Sequence, residues 1–343
     1  MTMKAMILEH QAPVETAPLR LREIPTPEPG PGEVLIRVEV CAVCRTDLHV
    51  VEGDLPPHRP EIIPGHEVVG WVERPGPGAA RFRVGDRVGV AWLHRTCGAC
   101  DYCARGDENL CDAPTFTGYD VHGGYAEYIV APEAFVYPLP EGLGAREAAP
   151  LLCAGIIGYR ALRRSNIRPG EPLGLYGFGA SAHVVIQIAR HWGCEVYVCT
   201  RGEKHQQLAR EMGAVWAGAA DERPPRKLRG SILFAPAGEL VLPALEALDK
   251  GGTLALAGIY MTPVPQMDYD RYLFRERTLQ SVTANTREDG RELLRLAAEI
   301  PIRTHTEEFP LSAANEALLK LKRDGINGAA VLRCCGCRRG GRE

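Results

Sequence analysis

The chain has 343 residues, of which 45% are hydrophobic and 24% charged, and its formal net charge is −3. This length predicts two domains, and the composition is that of an ordinary globular protein. The weak net charge and the lack of basic runs argue against nucleic acid or an acidic membrane as a partner. Neither an apolar stretch of about 18 residues nor the pattern of a secretory signal is found, so the cytoplasm is the expected location.

The first 150 residues carry the pattern of short strands separated by turns. Alternating apolar residues predict a strand over residues 34–40, and shorter strands are predicted over 68–73 and 87–90. Pro- and Gly-rich stretches between them are typical of turns, and no long amphipathic helix is expected before residue 145. We therefore expect a mostly-β domain over residues 1–150.

From residue 151 onward, strands and helices alternate. Strands are predicted over residues 173–176, 195–199, 231–235 and 253–257, and helices over 182–191, 204–212 and 240–248. This alternation predicts a doubly wound parallel sheet with right-handed crossovers, so the expected fold class is α/β. Two further helices are predicted over residues 289–298 and 312–322.

Four of the twelve cysteines lie within fifteen residues, at positions Cys97, Cys100, Cys103 and Cys111. Two-residue spacers let successive sulfurs turn toward one centre, and the longer loop brings in the fourth. Four thiolates suit a tetrahedral zinc ion with no open position, which would make the site structural. The same spacing could hold an iron–sulfur cluster. Cys41, Cys194 and Cys199 lie in apolar runs and are expected to be buried, unliganded thiols.

Three more residues have the character of metal ligands, although spacing alone cannot join them. They are Cys44, His66 and Cys153, and the outer two are 109 positions apart. Two thiolates and one imidazole would leave the fourth position of a zinc ion open, as a catalytic site requires. Taken singly, each of these residues is more often part of a protein core.

The motif Gly-His-Glu-x2-Gly-x5-Gly-x2-Ala at residues 65–79 carries a family resemblance. With the four-cysteine lobe and the order of the three ligands, the chain resembles the zinc-containing medium-chain dehydrogenase/reductase family, and within it the alcohol dehydrogenases. The resemblance extends to about residue 333. It implies a GroES-like catalytic domain over 1–150 with a structural zinc lobe at 95–113, and a Rossmann domain over 151–283. It also implies a return to the catalytic domain over 284–333 and a tail over 334–343.

The resemblance also assigns roles to residues of the site. It implies that Cys44, His66 and Cys153 hold a catalytic zinc, and that the four-cysteine lobe holds a second zinc, giving two per chain. It implies that Glu67 can transiently approach the catalytic metal and that Asp47 hydrogen-bonds His66, which fixes the imidazole. The implied reaction is reversible hydride transfer between a primary or secondary alcohol and NAD(P).

Four other positions match functional positions of the family. Thr46 and His49 match a proton relay, in which the Thr46 hydroxyl takes the alcohol proton and passes it through the nicotinamide ribose to His49. Arg45 matches a position that contacts the coenzyme pyrophosphate. Trp92 falls where relatives have an aromatic wall of the substrate pocket, although a core tryptophan remains an alternative.

A dinucleotide-binding pattern occurs where a predicted strand meets a predicted helix. Gly177 and Gly179 match its first two glycines, and Ala182 stands in the third position. In this context Gly177 would make the tight turn, and Gly179 would let backbone approach the pyrophosphate at the helix N-terminus.

The residue that would bind the adenosine ribose departs from the NAD pattern. An acidic residue is expected at the end of the second strand, but Thr200 and Arg201 stand there instead. Lys204 and His205 follow, and together these groups favour a 2′-phosphate and therefore NADP. Glu203 lies just beyond and keeps NAD as the alternative.

Several other classes of zinc or dehydrogenase protein share part of this pattern. A non-catalytic zinc ribbon would leave the second ligand set and the glycine loop without a use, and a zinc-free quinone or enone reductase would lack the ligands. A polyol, aldehyde or formaldehyde dehydrogenase shares the ligands and stays open. Beyond a small alcohol or aldehyde, the implied partner is a second copy of the chain, with a homotetramer favoured over a dimer. Apolar strands after residue 252 could pair across that interface. The tail cysteines, Cys334, Cys335 and Cys337, are expected to have no function.

Overall fold

The computed structural model describes residues 1–300, 302–326 and 328–335. The chain divides into two compact units. The first unit contains Met1–Cys153, Thr286–Ala298 and the described residues from Thr304 onward, and the second contains Ala154–Asn285 together with residues 299–303. Each unit is described by itself.

The strands of the described chain are β1 (Thr2–Leu8), β2 (Leu19–Pro25), β3 (Glu33–Val43), β4 (Glu67–Pro75), β5 (Arg87–Val90), β6 (Leu93–Arg95), β7 (Thr115–Phe116), β8 (Tyr128–Pro132), β9 (Val136–Pro138), β10 (Leu173–Tyr176), β11 (Val196–Cys199), β12 (Trp216–Gly218), β13 (Leu228–Leu233), β14 (Leu248–Leu256), β15 (Thr278–Ser281), β16 (Thr306–Pro310) and β17 (Ala329–Arg333). The α-helices are α1 (Arg45–Glu52), α2 (Asp101–Ala104), α3 (Ala145–Ala148), α4 (Ala154–Arg164), α5 (Ala180–His191), α6 (Glu203–Glu211), α7 (Val241–Ala247), α8 (Tyr269–Tyr272), α9 (Arg287–Glu299) and α10 (Ala314–Lys322).

The first unit is built on a mixed sheet with the strand order β16-β17-β3-β4-β5-β9, and β8 also pairs with β3. Except for the parallel pair β16–β17, these strands run antiparallel to their neighbours. Strand β3 is the longest, and its apolar residues, such as Val34, Ile36 and Val38, are fully buried in the core of the unit. The polar residues that alternate with them are less buried, as expected for a strand with one face on the core.

The second unit is a six-stranded parallel sheet with the order β12-β11-β10-β13-β14-β15. Counted from β10, this is the order 3-2-1-4-5-6 of the doubly wound dinucleotide-binding fold. Strands β10 and β11 are buried along their whole length, which explains their continuous apolar sequences. The predicted α/β fold class is confirmed, and the predicted strands and helices of this unit are present with ends shifted by a few residues.

Helix α1 was not predicted, because residues 45–52 lie in a region expected to contain strands and turns. The side chain that begins it is unusual for a helix cap: the Cys44 sulfur accepts the Thr46 N–H, and the Asp47 carboxylate accepts the Cys44 N–H. Serine, threonine, aspartate and asparagine are the residues normally read as a helix start. A cysteine therefore gave no start signal.

The last described residues are more ordered than the sequence predicted. A tail was expected from residue 334, but Cys334 is buried, and its N–H donates to Glu39 O at 3.1 Å. Cys335 is half-buried, with its thiol 3.6 Å from Glu127 O. The tail prediction is therefore wrong for these two residues, whereas Cys337 lies outside the described residues.

Two further predictions concerned buried cysteines and membrane-spanning helices. Cys41, Cys194 and Cys199 are buried, as predicted from their apolar surroundings. Within the described residues, no helix combines the length and the apolar character needed to cross a membrane.

Candidate active site

The first unit brings together four potential metal-binding side chains. Cys44 ends the loop after β3 and caps α1, His66 and Glu67 lie at the start of β4, and Cys153 follows a 3-10 turn at Ala149–Leu152. One sulfur, nitrogen or oxygen atom of each lies within 4.8 Å of the others. Residues that are far apart in the sequence thus form one compact group.

The distances in this group fit a tetrahedral metal ion. The Cys44 sulfur lies 3.3 Å from His66 Nε2 and 4.0 Å from the Cys153 sulfur. Zinc–sulfur bonds of about 2.3 Å at a tetrahedral angle place two sulfurs about 3.8 Å apart. A disulfide would need about 2.05 Å between the sulfurs. The arrangement therefore suits ligands of one ion and not a covalent pair.

Asp47 fixes the orientation of the His66 ring. Its Oδ1 lies 2.9 Å from His66 Nδ1, while Oδ2 accepts the Cys44 N–H at 2.9 Å and the Tyr125 hydroxyl at 3.2 Å. With a proton on Nδ1, the Nε2 lone pair points toward the sulfurs and is free to bind a metal. Tyr125 was missed by the sequence reading, because a tyrosine 78 residues from its partner gives no local signal.

Gly65 shows why this segment needs a glycine before the histidine. Its φ is +96°, and a Cβ atom there would lie 2.3 Å from the Tyr125 ring and 2.9 Å from the Cys41 sulfur. Any side chain would therefore be strained in the backbone and would displace the ring that donates to Asp47. The glycine lets β4 begin with His66 fully buried.

The pKa values of Cys44, Glu67 and Cys153 reflect their burial and the several hydrogen-bond acceptors that lie close together. Burial, followed by the charge of Cys44, raises the pKa of the Glu67 carboxyl well above its usual range. The hydrogen bond from the Cys153 thiol, followed by the charge of His66, lowers the pKa of Cys44, while donating that bond raises the pKa of Cys153. Oε1 of Glu67 is buried without a hydrogen-bond partner. A cation would satisfy these acceptors together.

The other residues predicted for catalysis lie on α1. Thr46 is half-buried, and His49 lies one turn further along, with its side chain 25% exposed and Nδ1 2.7 Å from Asp54 Oδ2. Asp54 was not singled out from the sequence. Arg45 is exposed, and its guanidinium donates to Asp324 Oδ1 at 2.5 Å. The structure thus places Thr46 between the ligand Cys44 and the more exposed His49.

Trp92 lies beside the candidate metal ligands. Its ring meets that of His66 edge-on, with centroids 5.0 Å apart and an interplanar angle of 75°. Phe116 stacks on it at 4.9 Å and 15°, and Tyr119 at 6.0 Å and 19°. Trp92 is only partly buried, so an aromatic surface borders the group.

The four-cysteine lobe forms a second metal-binding group. The sulfurs of Cys97, Cys100, Cys103 and Cys111 lie within 4.8 Å of one another, with 3.9 Å between Cys97 and Cys103. Backbone N–H groups point at these sulfurs: Cys100 N lies 3.3 Å from the Cys97 sulfur, and Cys97 N lies 3.3 Å from that of Cys111. Such bonds stabilise thiolates.

Three of these cysteines have shifted pKa values, and hydrogen bonding from the backbone N–H of Ala99, and next from that of Cys100, lowers the pKa of Cys97. Hydrogen bonding from the backbone N–H of Asp112, and next from that of Cys103, lowers the pKa of Cys100 to about 6. Desolvation raises the pKa of Cys103 to about 11. Separations near 3.8 Å and backbone N–H donors suit tetrahedral zinc, which fills all four positions with protein ligands.

An ion pair that the sequence did not reveal fastens this lobe. Glu108, three residues before Cys111, accepts from Arg287 through Nε at 2.9 Å and Nη2 at 2.7 Å. The Arg287 guanidinium also lies 4.4 Å from the centre of the Phe135 ring. Because the partners are 179 residues apart, only the fold shows that the start of α9 supports the lobe.

The second unit carries the predicted coenzyme loop between β10 and α5. Gly177 has a φ of +89°, and a Cβ there would lie 3.0 Å from Ala235 N, so the turn requires a glycine. Gly179 begins α5, and no atom lies within 4 Å of the Cβ position there, which leaves its backbone open to a ligand. Ala182 is fully buried and packs the first turn of the helix.

The end of β11 carries the residues predicted to select the coenzyme. Thr200 is buried, and its N–H donates to Gly218 O at 3.1 Å, whereas Arg201 is exposed. Glu203, Lys204 and His205 are exposed at the start of α6. Basic groups and one acid thus lie together at the carboxyl end of the sheet, where doubly wound folds bind ligands.

Comparisons with known proteins agree with this geometry. Residues 30–141 match the alcohol dehydrogenase GroES-like domain family, and residues 182–299 match the zinc-binding dehydrogenase family. A probable alcohol dehydrogenase AdhA of Mycobacterium tuberculosis is 53% identical over 336 residues, which cover 96% of this chain and 97% of that protein.

Solved structures show the same architecture. A thermostable alcohol dehydrogenase from Pyrobaculum aerophilum with bound cobalt and zinc is 28% identical with a TM-score of 0.87, covering 97% of this chain and 100% of that one. An acetophenone reductase from Geotrichum candidum in complex with NAD is 27% identical with a TM-score of 0.85, covering 97% of each chain. The chain belongs to the zinc-type alcohol dehydrogenases of the medium-chain dehydrogenase/reductase family.

Proposed function

We propose that the protein binds two zinc ions per chain and catalyses reversible hydride transfer between a primary or secondary alcohol and NADP. The observation that carries the proposal is the buried group of Cys44, His66 and Cys153, whose two sulfurs and one imidazole nitrogen leave one position of a tetrahedral ion open. A zinc ion held there would supply Lewis acidity that lowers the pKa of an alcohol hydroxyl. The bound nicotinamide supplies the hydride acceptor.

The chain's own residues would orient the ligands and move the proton. Asp47 holds the His66 ring, and the Thr46 N–H supports the Cys44 sulfur. The Thr46 hydroxyl would take the proton of the alcohol, and His49 would deliver it to water, because the His49 side chain reaches solvent. Glu67 would approach the metal when substrate leaves, since its Oε1 is buried without a partner.

The two zinc sites can be separated by cysteine substitutions. We expect the wild-type chain to contain two zinc ions by elemental analysis. Cys44→Ser should lose one zinc and at least about 100-fold in kcat/KM, because the Lewis acid is removed. Cys103→Ser should lose the other zinc and lower the melting temperature.

The matched control is Cys194→Ser, which removes a buried thiol outside both groups and should leave zinc content and activity unchanged. A wild-type chain that folds without zinc, or iron in place of zinc in the four-cysteine lobe, would contradict the assignment. Activity measured over a panel of alcohols, aldehydes and polyols shows which substrate class the site prefers.

The proton relay predicts a pH-dependent defect in a His49 variant. His49→Gln should lower kcat for alcohol oxidation by about 10- to 100-fold near neutral pH, because the last proton acceptor is lost. The defect should shrink at alkaline pH, where hydroxide in solvent can accept the proton. His10→Gln, an exposed histidine elsewhere in the first unit, is the control. A His49→Gln variant with wild-type kcat at pH 7 would remove His49 from the relay.

We propose NADP as the preferred coenzyme, with its pyrophosphate at the start of α5. Arg45, whose exposed guanidinium is paired with the exposed Asp324, is the further residue that we propose to contact the coenzyme pyrophosphate. The Thr200 hydroxyl, Arg201 and His205 would bind the 2′-phosphate. A planar guanidinium binds phosphate through two charge-assisted hydrogen bonds, which makes Arg201 the strongest of these contacts.

Coenzyme preference is measured by kcat/KM with each nucleotide. We expect the wild type to prefer NADP, and Arg201→Ala to lose about 10-fold or more of kcat/KM with NADP but less than about twofold with NAD. Arg226→Ala, which removes an exposed arginine paired with Glu195, is the control. A strong wild-type preference for NAD, with Glu203 taking the ribose hydroxyls, would contradict the proposal.

We also propose that the chain assembles as a homotetramer. Strand β15 forms one edge of the six-stranded sheet and pairs with β14 alone in that sheet. Exposed apolar side chains precede it, at Ile259, Tyr260, Tyr269 and Phe274. An unpaired strand edge next to exposed aromatic residues favours pairing with a second copy.

Analytical ultracentrifugation tests the assembly. The expected mass is four times the 37.4 kDa of one chain. Tyr260→Lys should shift the distribution toward smaller species, because a charge would be buried in the interface. A monomeric wild type would overturn the proposal.

The location we propose is the cytoplasm, where reducing conditions would keep the cysteine ligands free of disulfides.

A further inference from the structure

Two segments of the first unit are joined beside the candidate active site. One is the loop over residues 54–66, between α1 and β4, and the other is the turn over residues 116–123, after β7. The Tyr119 hydroxyl donates to Pro56 O at 2.8 Å, the Ile63 N–H donates to His122 Nδ1 at 3.2 Å, and Gly123 N donates to Ile63 O at 2.7 Å. Three hydrogen bonds therefore tie the two segments together.

His58 joins the same segments through both of its ring nitrogens. Nδ1 lies 2.6 Å from Asp120 Oδ1, and Nε2 lies 3.0 Å from the Tyr119 hydroxyl oxygen. The rings of His58 and Tyr119 are in contact, with centroids 4.4 Å apart. Oδ2 of Asp120 accepts the Phe116 N–H at 2.7 Å, which fixes the carboxylate in place.

The number of protons available determines the charge of His58 in this arrangement. The Tyr119 hydroxyl has one proton, and it donates that proton to Pro56 O. The contact with Nε2 then needs a proton on His58, while the carboxylate of Asp120 needs one on Nδ1. Only the imidazolium form of His58 makes all three hydrogen bonds at once. With a neutral His58 ring that has its proton on Nδ1, the Tyr119 hydroxyl could donate its one proton either to His58 Nε2 or to Pro56 O, but not to both.

A continuous set of ring contacts connects His58 to the metal ligands. Tyr119 lies parallel to Trp92 with 6.0 Å between centroids, and Trp92 meets the His66 ring at 5.0 Å. The ring contacts of Trp92 are with Phe116 and Tyr119 of the turn and with His66, so Tyr119 is one of the two turn residues that pack on it. Tyr119 is itself only 9% exposed.

We propose that His58 in its imidazolium form, held by Asp120, is a positioning residue that fixes the Tyr119–Trp92 surface as a wall of the substrate pocket. The wall sets the KM of alcohols large enough to reach it, and has little effect on ethanol. This proposal rests on the proposed function, because it takes the open metal position next to His66 as the place where the alcohol oxygen binds.

The charged groups around His58 are compatible with this form. Asp120 and Tyr119 face it from the turn, and Arg59 and Glu61 lie in its own loop with opposite charges. His94 of β6 also lies near Asp120, but burial lowers its pKa to about 4, so it is neutral near pH 7 and does not replace His58 as the cation.

Steady-state kinetics of His58→Ala, Tyr119→Phe and the double variant test the proposal with ethanol and benzyl alcohol. Each single variant should raise the KM for benzyl alcohol about 3- to 10-fold, and His58→Ala should keep kcat and the KM for ethanol within about twofold of wild type. The double variant should equal the single variants, since they break one hydrogen-bonded unit. His10→Ala is the control.

Near-ultraviolet circular dichroism gives a readout that does not depend on activity. The band assigned to Trp92 by comparison with Trp92→Phe should weaken in His58→Ala. If His58→Ala does not fold, Tyr119→Phe keeps the ring and answers the same question. Single effects that multiply in the double variant, an unchanged KM, or an unchanged Trp92 band would overturn the proposal. An inactive wild type with the expected dichroism would refute the proposed function and leave the positioning role standing.

Discussion

The buried carboxylate of Asp47 makes the hydrogen bonds on which the candidate active site of this protein depends. One oxygen holds the His66 ring, and the other accepts the N–H of Cys44 and the hydroxyl of Tyr125. The hydrogen bond from the Cys44 N–H to Asp47 also caps the start of α1. The same side chain therefore both begins the helix and orients His66. Placing a carboxylate where only 2% of its residue surface is exposed costs free energy that these hydrogen bonds offset. Removing any one partner would leave part of that cost uncompensated.

The two metal-binding groups reach the same ligand spacing by different physical means. In the four-cysteine lobe, backbone N–H groups of the lobe itself stabilise the thiolates, and Cys97 is exposed. Beside α1, the Thr46 N–H at the helix N-terminus supports the Cys44 sulfur, a buried acid orients the His66 ring, and the candidate ligands come from three separate segments. A lobe that organises its own ligands suits a structural role. A site assembled by the fold can instead leave one position open for substrate, because no single segment has to close around the ion.

This difference explains how much could be predicted from the sequence. The four cysteines, the glycine loop and four of the six strands of the second unit follow local patterns, so they were predicted, the strands with ends shifted by a few residues. Strands β12 and β15 were not predicted. The grouping of Cys44 with Cys153 required the family resemblance, because nothing in the sequence joins positions 109 apart. Tyr125, Asp54 and the Glu108–Arg287 pair were missed because their roles come from contacts that only the folded chain makes. Helix α1 was missed because a thiol caps it.

His58 shows how a side chain outside the candidate metal site can influence that site through packing. Two histidines join the loop to the turn, and their surroundings favour opposite protonation states. His122 accepts the Ile63 N–H through Nδ1, and burial lowers its pKa. His58 instead contacts the carboxylate of Asp120 and the hydroxyl of Tyr119, which already donates its proton to Pro56 O. A neutral ring suits the first position and a cation the second. The loop is thus joined to the turn at one point by the neutral ring of His122 and at another by the contacts of His58 with Asp120 and Tyr119. Because the contacts of His58 lie on the side of Tyr119 and Trp92, a change at His58 would reach the proposed substrate wall before it reached the candidate metal ligands.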